Sequence, residues 1–189
     1  IEENYAKKVE RLGADAIIAV NKNAGGHAGR FNSKDLIYRI RKVCSIPIIC
    51  AGGVGTKSEA ESKINEGYAG LSIGSSFIAC EESEISKEYK KACVDYGKDD
   101  IVLTTKISGT PCTVINTAYV QKIGTTQNWL EKLIHKNKRM KKWVKLITYF
   151  KGLESIRNAA FSSTYKTVWC AGPSIEHTKK ILPIKQIIK

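Results

Sequence analysis

The sequence predicts an α/β fold, and within that class the carboxyl-terminal strands of a partial (β/α)8 TIM barrel followed by a helical, basic segment. Short apolar runs rich in β-branched residues alternate with amphipathic stretches through residues 1–120. This alternation is typical of parallel strands that are connected through helices. Each predicted strand also ends in its own small glycine loop. A barrel collects ligand-binding groups at the carboxyl ends of several strands, so these loops favour a barrel over a dinucleotide-binding sheet.

The predicted elements follow one another with short connections. Three strands are predicted, over residues 15–20, 47–51 and 70–74. Four helices surround them, over residues 5–12, 33–44, 56 or 57 to 66, and 83–96. Ser33 is the predicted N-cap of the second helix, Gly67 closes the third, and Ser83 lies near the cap of the fourth. The resulting order is α-β-α-β-α-β-α.

The regular alternation ends after Gly97. A short strand is predicted over 100–105, a turn over 108–111, and one or two basic amphipathic helices over 128–150. We therefore divide the chain into residues 1–120, the carboxyl-terminal part of a TIM barrel, and residues 121–189, a basic helical segment that packs on or returns to the barrel. A barrel needs eight strands, so we expect the amino-terminal part of this barrel to be missing from the chain.

The positive charge of the chain is concentrated near its end. The formal net charge is +13, and residues 1–120 hold 16 basic against 15 acidic side chains, whereas residues 121–189 hold 15 against 3. Such a bias can attract nucleic acid, an acidic carrier protein or an anionic membrane. No nucleic-acid-binding motif accompanies it, so we expect no nucleic-acid partner. A solvated face that meets the missing part of the barrel is the favoured interpretation.

The cysteines and the apolar runs exclude other classes of protein. No apolar run reaches the roughly 18 residues that indicate a membrane span. The six cysteines are scattered and form no CxxC pair, so a structural zinc site is not predicted. Unpaired, scattered cysteines are typical of reduced thiols in the cytoplasm, which is the expected location.

The segment over 24–30 carries three glycines around His27, directly after the first predicted strand. Glycine lets the backbone approach a ligand closely and adopt positive φ. An imidazole exchanges a proton near neutral pH or donates a hydrogen bond. His27 is therefore the candidate catalytic residue, with Gly25 and Gly26 as candidate cofactor contacts. A turn that merely needs its glycines would produce the same motif, and both interpretations stay open on this segment alone.

The next two predicted strands end in Gly52-Gly53 and Gly74-Ser75. Free backbone N–H groups and a serine hydroxyl at such strand ends make a site for an anion, and a phosphate monoester fits it. If the phosphate belongs to FMN, the flavin ring would lie across the barrel mouth and His27 could reach a substrate above it. The flavin would then supply the redox chemistry.

Three blocks of the sequence, over residues 12–29, 47–54 and 70–77, resemble the nitronate monooxygenase family in order and spacing. Residues 108–111 and 169–172 are also similar to that family. The resemblance implies an FMN-dependent TIM barrel that denitrifies alkyl nitronates oxidatively with O2. It further implies that His27 is the catalytic histidine beside the flavin. The FMN phosphate would be held by Gly52, Gly53, Gly74 and Ser75.

Some positions depart from the family pattern, and other functions use similar loops. Cys112 and Thr113 stand where an arginine is common, and Pro173 replaces a common glutamine, so the roles of that arginine and glutamine are not carried over. The flavin-containing enoyl-acyl carrier protein reductase resembles the same histidine block, and the basic end suits an acidic carrier protein. The expected partners are then a nitronate with O2, or an enoyl thioester with NAD(P)H. A non-catalytic truncated barrel with a basic binding face is the third alternative.

Overall fold

The computed structural model describes residues 3–106, 110–126 and 168–188. The strands are β1 (Ile17–Val20), β2 (Gly26–His27), β3 (Ile48–Ala51), β4 (Gly70–Ser72), β5 (Ile101–Thr104) and β6 (Cys112–Ile115). The helices are α1 (Glu3–Arg11), α2 (Ser33–Arg41), α3 (Lys57–Asn65), α4 (Ser75–Ile78), α5 (Lys87–Asp95), α6 (Ala118–Ile123) and α7 (Ile184–Ile187), and Lys98–Asp100 and Pro173–His177 form 3-10 turns. Within these ranges, no helix combines the length and the apolar character that crossing a bilayer requires. The helices predicted over 128–150 lie outside the described residues.

The first sheet is parallel and contains the three predicted strands in the order β1-β3-β4. Ile17 pairs with Ile48, and Ile49 pairs with Gly70. A helix connects each strand to the next, α2 between β1 and β3 and α3 between β3 and β4. The α/β prediction is confirmed, and so are the positions of these three strands.

The residues of the first sheet alternate between its two faces. Ile17 and Ala19 of β1 and Ile48 and Cys50 of β3 are fully buried. They pack in one cluster with apolar residues of α2, namely Leu36, Ile37 and Ile40. The intervening residues, Ile18, Val20 and Ala51, face a cavity instead. Helices therefore cover one face of the sheet, and the other face is left for a ligand.

The second sheet is antiparallel, in the order β2-β6-β5. His27 pairs with Cys112, and Thr104 pairs with Cys112 on the opposite side of β6. The strand β5 was predicted, whereas β6 and the two-residue strand β2 were not. The strand β2 has only two residues, too few to show an alternation of apolar and polar side chains. All four residues of β6 are buried, so this strand shows no such alternation either.

Two helices begin at residues other than the predicted ones. Asn32, not Ser33, is the N-cap of α2, since its side chain accepts the Asp35 N–H at 2.8 Å. Ser33 lies inside the helix, and its hydroxyl accepts a hydrogen bond from Lys63 at 2.7 Å. Short polar side chains in a row compete for the cap, and the sequence alone does not rank them.

The later helix α5 is shorter than predicted, because Ser86 rather than Ser83 caps it and accepts the Tyr89 N–H at 3.2 Å. The predicted limits of α3 hold more closely. Thr56 is its N-cap and forms a reciprocal capping box with Glu59. Gly67 follows the helix with φ of +101°, which confirms it as the carboxyl-terminal cap.

Candidate functional site

A cavity of about 400 Å³ lies at the carboxyl ends of β1, β3 and β4. The loops that follow these strands line it, together with Cys170 and Ser174 from the end of the chain. Six of the seven site residues predicted from the sequence lie around it: Gly25, His27, Gly52, Gly53, Gly74 and Ser75. The seventh, Gly26, pairs with Thr113 and is not part of the lining. The three glycine loops thus converge on one opening, as their places after adjacent parallel strands require.

His27 is held at the cavity by its backbone. It forms half of β2, and its side chain is exposed and lines the cavity. Thr113 of β6 stabilises this short strand. Its hydroxyl donates to the Ala24 carbonyl at 2.5 Å and lies 3.2 Å from the Gly26 carbonyl. The imidazole is therefore placed by a strand pairing, and replacement of the side chain leaves that pairing intact.

Gly25 lies against the end of the chain. A Cβ at Gly25 would come within 2.8 Å of the Gly172 nitrogen and 2.9 Å of the Ser75 hydroxyl oxygen, so a larger residue does not fit. The Gly172 N–H donates to that same hydroxyl oxygen at 2.9 Å. Ser75 accepts this hydrogen bond and keeps its own proton for donation to another group. The hydroxyl thus joins two walls of the cavity and can still contact a ligand.

Asn21 supports the floor of the cavity and was missed by the sequence analysis. Its side chain is 1% exposed. Its amide nitrogen donates to the Gly52 carbonyl at 2.8 Å, and its oxygen accepts the Asn23 N–H at 2.8 Å. Asn21 therefore connects the loop after β1 to the loop after β3. A polar residue at the end of an apolar run was the available signal, because buried amides need partners.

The loops after β3 and β4 differ in how much space surrounds their glycines. Gly52 has φ of +107°, and a Cβ there would lie 2.5 Å from the Ala24 nitrogen. A Cβ at Gly74, in contrast, would meet no atom of the described residues within 4 Å. Gly52 is required by the packing of the two loops. Gly74 borders open space in the cavity, where a bound group can approach the backbone.

The chemical character of the cavity is neutral and partly apolar. No Asp, Glu, Lys or Arg side chain belongs to its lining in the part of the chain that the structure describes. Glycine backbones and three serines belong to the lining, and Ile18, Val20 and Ala51 line the sheet face. An anion can be bound here by backbone N–H groups without repulsion from carboxylates. A flat apolar group can lie along the sheet face.

Asn21→Ala should lower the free energy of unfolding by about 1–3 kcal/mol, because it leaves the Gly52 carbonyl and the Asn23 amide without their partner. Urea denaturation measures this loss. Asn65→Ala is the matched control, since Asn65 is exposed at the end of α3 and its replacement should change stability by less than about 0.5 kcal/mol. Equal stabilities of the two variants would show that Asn21 does not hold the loops together.

A family model described as nitronate monooxygenase matches residues 3–189 of the chain. Curated relatives include a 5-hydroxy-7a-methyl-1-oxo-octahydro-1H-indene-4-carboxyl-CoA dehydrogenase of Rhodococcus jostii, 30% identical over 124 residues, which are 66% of this chain and 35% of that protein. A protein of Staphylococcus aureus named "Probable nitronate monooxygenase" is 30% identical over 124 residues, 60% of this chain and 35% of that protein. The matched segment thus spans about a third of the length of these relatives.

Solved structures are similar over nearly the whole chain. FabK from Thermotoga maritima superposes with a TM-score of 0.77 and 27% identity, over 99% of this chain and 56% of that one. A nitroalkane oxidase from Streptomyces ansochromogenes superposes with a TM-score of 0.70 and 22% identity, over 99% of this chain and 53% of that one. The second likeness concerns the fold alone. The chain spans little more than half the length of either structure.

Proposed function

Because this chain belongs to the nitronate monooxygenase family, we propose that it is part of an FMN-dependent oxidoreductase that denitrifies alkyl nitronates oxidatively with O2. One observation carries this proposal above all. Three glycine loops and His27, which are far apart in the sequence, surround one cavity at the carboxyl ends of parallel strands. The described strands are, in this proposal, the carboxyl-terminal strands of a (β/α)8 barrel, whose ligands bind at that end.

The residues of the cavity fit a flavin phosphate. Gly74 borders space that no atom of the described residues fills, so a phosphate oxygen can approach its backbone. Ser75 has a hydroxyl proton to donate, because its oxygen already accepts from Gly172. Gly52 and Gly53 complete this end of the lining, which holds no described carboxylate. Gly25 lies near His27, where a side chain larger than hydrogen would collide with Gly172 and Ser75. Gly26 pairs with Thr113 and so keeps β2 in the second sheet.

The remaining lining suits the ring and its substrate. Ile18, Val20 and Ala51 form an apolar sheet face that can support a flat ring and exclude water from it. When bound, FMN supplies the electron transfer and the reaction with O2. His27 extends into the same cavity, where it can donate a hydrogen bond to the nitro group of the substrate or accept a proton from it. Two assignments accompany this proposal: residues 1–120 belong to the barrel, and 121–189 form a basic segment beside it.

A second candidate is reduction of an enoyl thioester by NAD(P)H at the same flavin. The similarity to FabK, with its higher TM-score and identity than the nitroalkane oxidase, favours it. The excess of basic residues after residue 120 would complement an acidic acyl carrier protein. The substrate then enters as a thioester on a charged carrier rather than as a small nitronate.

A binding experiment tests the phosphate site directly. FMN and riboflavin, which differ by the phosphate group, are titrated into the purified protein that contains this chain together with the rest of the barrel, and binding is followed by flavin fluorescence. We expect FMN to bind at least about tenfold more tightly, since charge-assisted hydrogen bonds contribute about 1.5–3 kcal/mol each. Equal affinities would contradict the proposed role of Gly53, Gly74 and Ser75.

Activity assays distinguish the two candidate reactions. The protein loaded with FMN is given an alkyl nitronate, and O2 consumption is recorded. In parallel it is given an enoyl thioester, and the absorbance of NAD(P)H is followed. The proposal predicts O2 consumption that depends on the nitronate. NAD(P)H oxidation that depends on the enoyl thioester, without the first activity, would replace the first candidate by the second.

A further inference from the structure

Two cysteines meet at the wall of the cavity although they are 58 residues apart in the sequence. The sulfur atoms of Cys112 and Cys170 are 3.6 Å apart and are not bonded covalently. Cys112 is 1% exposed and pairs directly with His27 in the second sheet. Cys170 is half-buried and lines the cavity. A molecule in the cavity therefore contacts Cys170, whose sulfur lies 3.6 Å from the sulfur of Cys112.

The backbones of both cysteines are fixed. The Ile115 N–H donates to the Trp169 carbonyl at 2.8 Å, so the segment with Cys170 runs beside β6. The Tyr89 hydroxyl donates to the Cys170 carbonyl, and the Tyr89 ring stacks on Trp169 with centroids 5.8 Å apart. A disulfide has an S–S length of about 2.05 Å. The sulfur atoms, 3.6 Å apart, must therefore approach each other before they can bond.

The hydrogen bond between the two thiols changes their pKa values in opposite directions, because it favours the thiolate of Cys112 and raises the pKa of Cys170. The hydrogen bond from Cys170 lowers the pKa of the Cys112 thiol. Burial, in contrast, raises the pKa of Cys50, and it raises the pKa of Cys93 to about 12. Only a thiolate is a good nucleophile. Within the pair, Cys112 therefore forms a thiolate more readily than Cys50 or Cys93 does.

We propose that Cys112 and Cys170 form a redox-active dithiol, which a peroxide that enters the cavity oxidises to a disulfide. In the first step a thiolate attacks one peroxide oxygen, the O–O bond breaks, and a sulfenic acid and hydroxide form. In the second step the other thiol attacks the sulfenic sulfur, and water leaves. In total, two thiols and one hydrogen peroxide give one disulfide and two waters. This site requires no flavin and is independent of the proposed function.

Thiol counting and peptide mapping test the proposal on the unaltered chain. The purified protein is treated with one equivalent of hydrogen peroxide, denatured, and titrated for free thiols. The count should fall from the six cysteines of the sequence to four, with a mass loss of about 2 Da. Trypsin releases Cys112 in the peptide 107–122 and Cys170 in the peptide 167–179, each with a single cysteine. A disulfide that links these two peptides supports the proposal.

Two variants sharpen the result. Cys93→Ser, which removes a buried cysteine outside the pair, should still lose two thiols and form the linked peptides. Cys170→Ser should keep all five of its thiols under the same treatment, because Cys112 has then lost the partner that activates it. Retention of six thiols in the unaltered chain, or oxidation that falls first on any other cysteine, would overturn the proposal.

Discussion

Replacement of His27 by asparagine is expected to lower the turnover of a nitronate by about 10²- to 10⁴-fold while FMN still binds. Asparagine can donate a hydrogen bond but does not exchange a proton near neutral pH. His27 is placed by the β2–β6 pairing, which involves its backbone and not its imidazole, so the cavity should keep its shape. Steady-state O2 consumption measures the loss, and the visible absorption of the purified variant measures the bound flavin.

His177→Asn is the control for this experiment. His177 lies on the surface, where its imidazole contacts Glu59 at 3.4 Å, and it is absent from the cavity lining. Its replacement should leave turnover within about threefold of the parent, since surface substitutions change little. If His27→Asn shows the same kinetics as the control, His27 has no part in the chemistry.

Gly52→Ala is expected to lower the free energy of unfolding by about 2–5 kcal/mol. The φ of Gly52, +107°, is a conformation that residues with a Cβ rarely adopt, and the new Cβ would lie 2.5 Å from the Ala24 nitrogen. The backbone strain and the collision both affect the contact between the loops after β1 and β3, which the hydrogen bond from Asn21 to Gly52 also stabilises. Thermal or urea denaturation measures the destabilisation, and FMN binding should be lost with it.

Gly74→Ala separates the binding role of a glycine from its structural role. Gly74 lies on the same cavity, but its φ is −119° and a Cβ there would meet no described atom within 4 Å. We expect unchanged stability and weaker FMN binding, because the methyl group occupies space proposed for the phosphate. A large loss of stability in this variant, or full stability in Gly52→Ala, would contradict the different roles given to the two glycines.

The first sheet and its loops could be predicted because their signals are local. Each of β1, β3 and β4 is a short apolar run with a glycine directly after it. Since parallel strands share one carboxyl edge, the glycine loops had to lie near each other. Six of the seven predicted residues accordingly line one cavity. Their roles toward FMN and substrate stay predictions.

The second sheet and the supports of the site depend on contacts between distant residues, which local patterns do not contain. Nothing in the four residues of β6 indicates that His27 is their partner. Thr113 and Gly172 act on loops 89 and 97 residues away from them. Helix limits failed for a different reason, because neighbouring polar residues such as Asn32 and Ser33 can each serve as a cap.

The long sequence separation between Gly172 and Ser75 determines when the cavity can be completed during synthesis. The parallel sheet uses residues up to Ser72, so it can form while the rest of the chain is still within the ribosome. Cys170 and Ser174, which complete the cavity lining, are synthesised about a hundred residues later. Contacts between residues so far apart in sequence form slowly. We expect a nascent chain that ends at residue 126 to protect the amides of β3 from hydrogen exchange. The amides of β2 should exchange freely until β6, with which β2 pairs, has emerged.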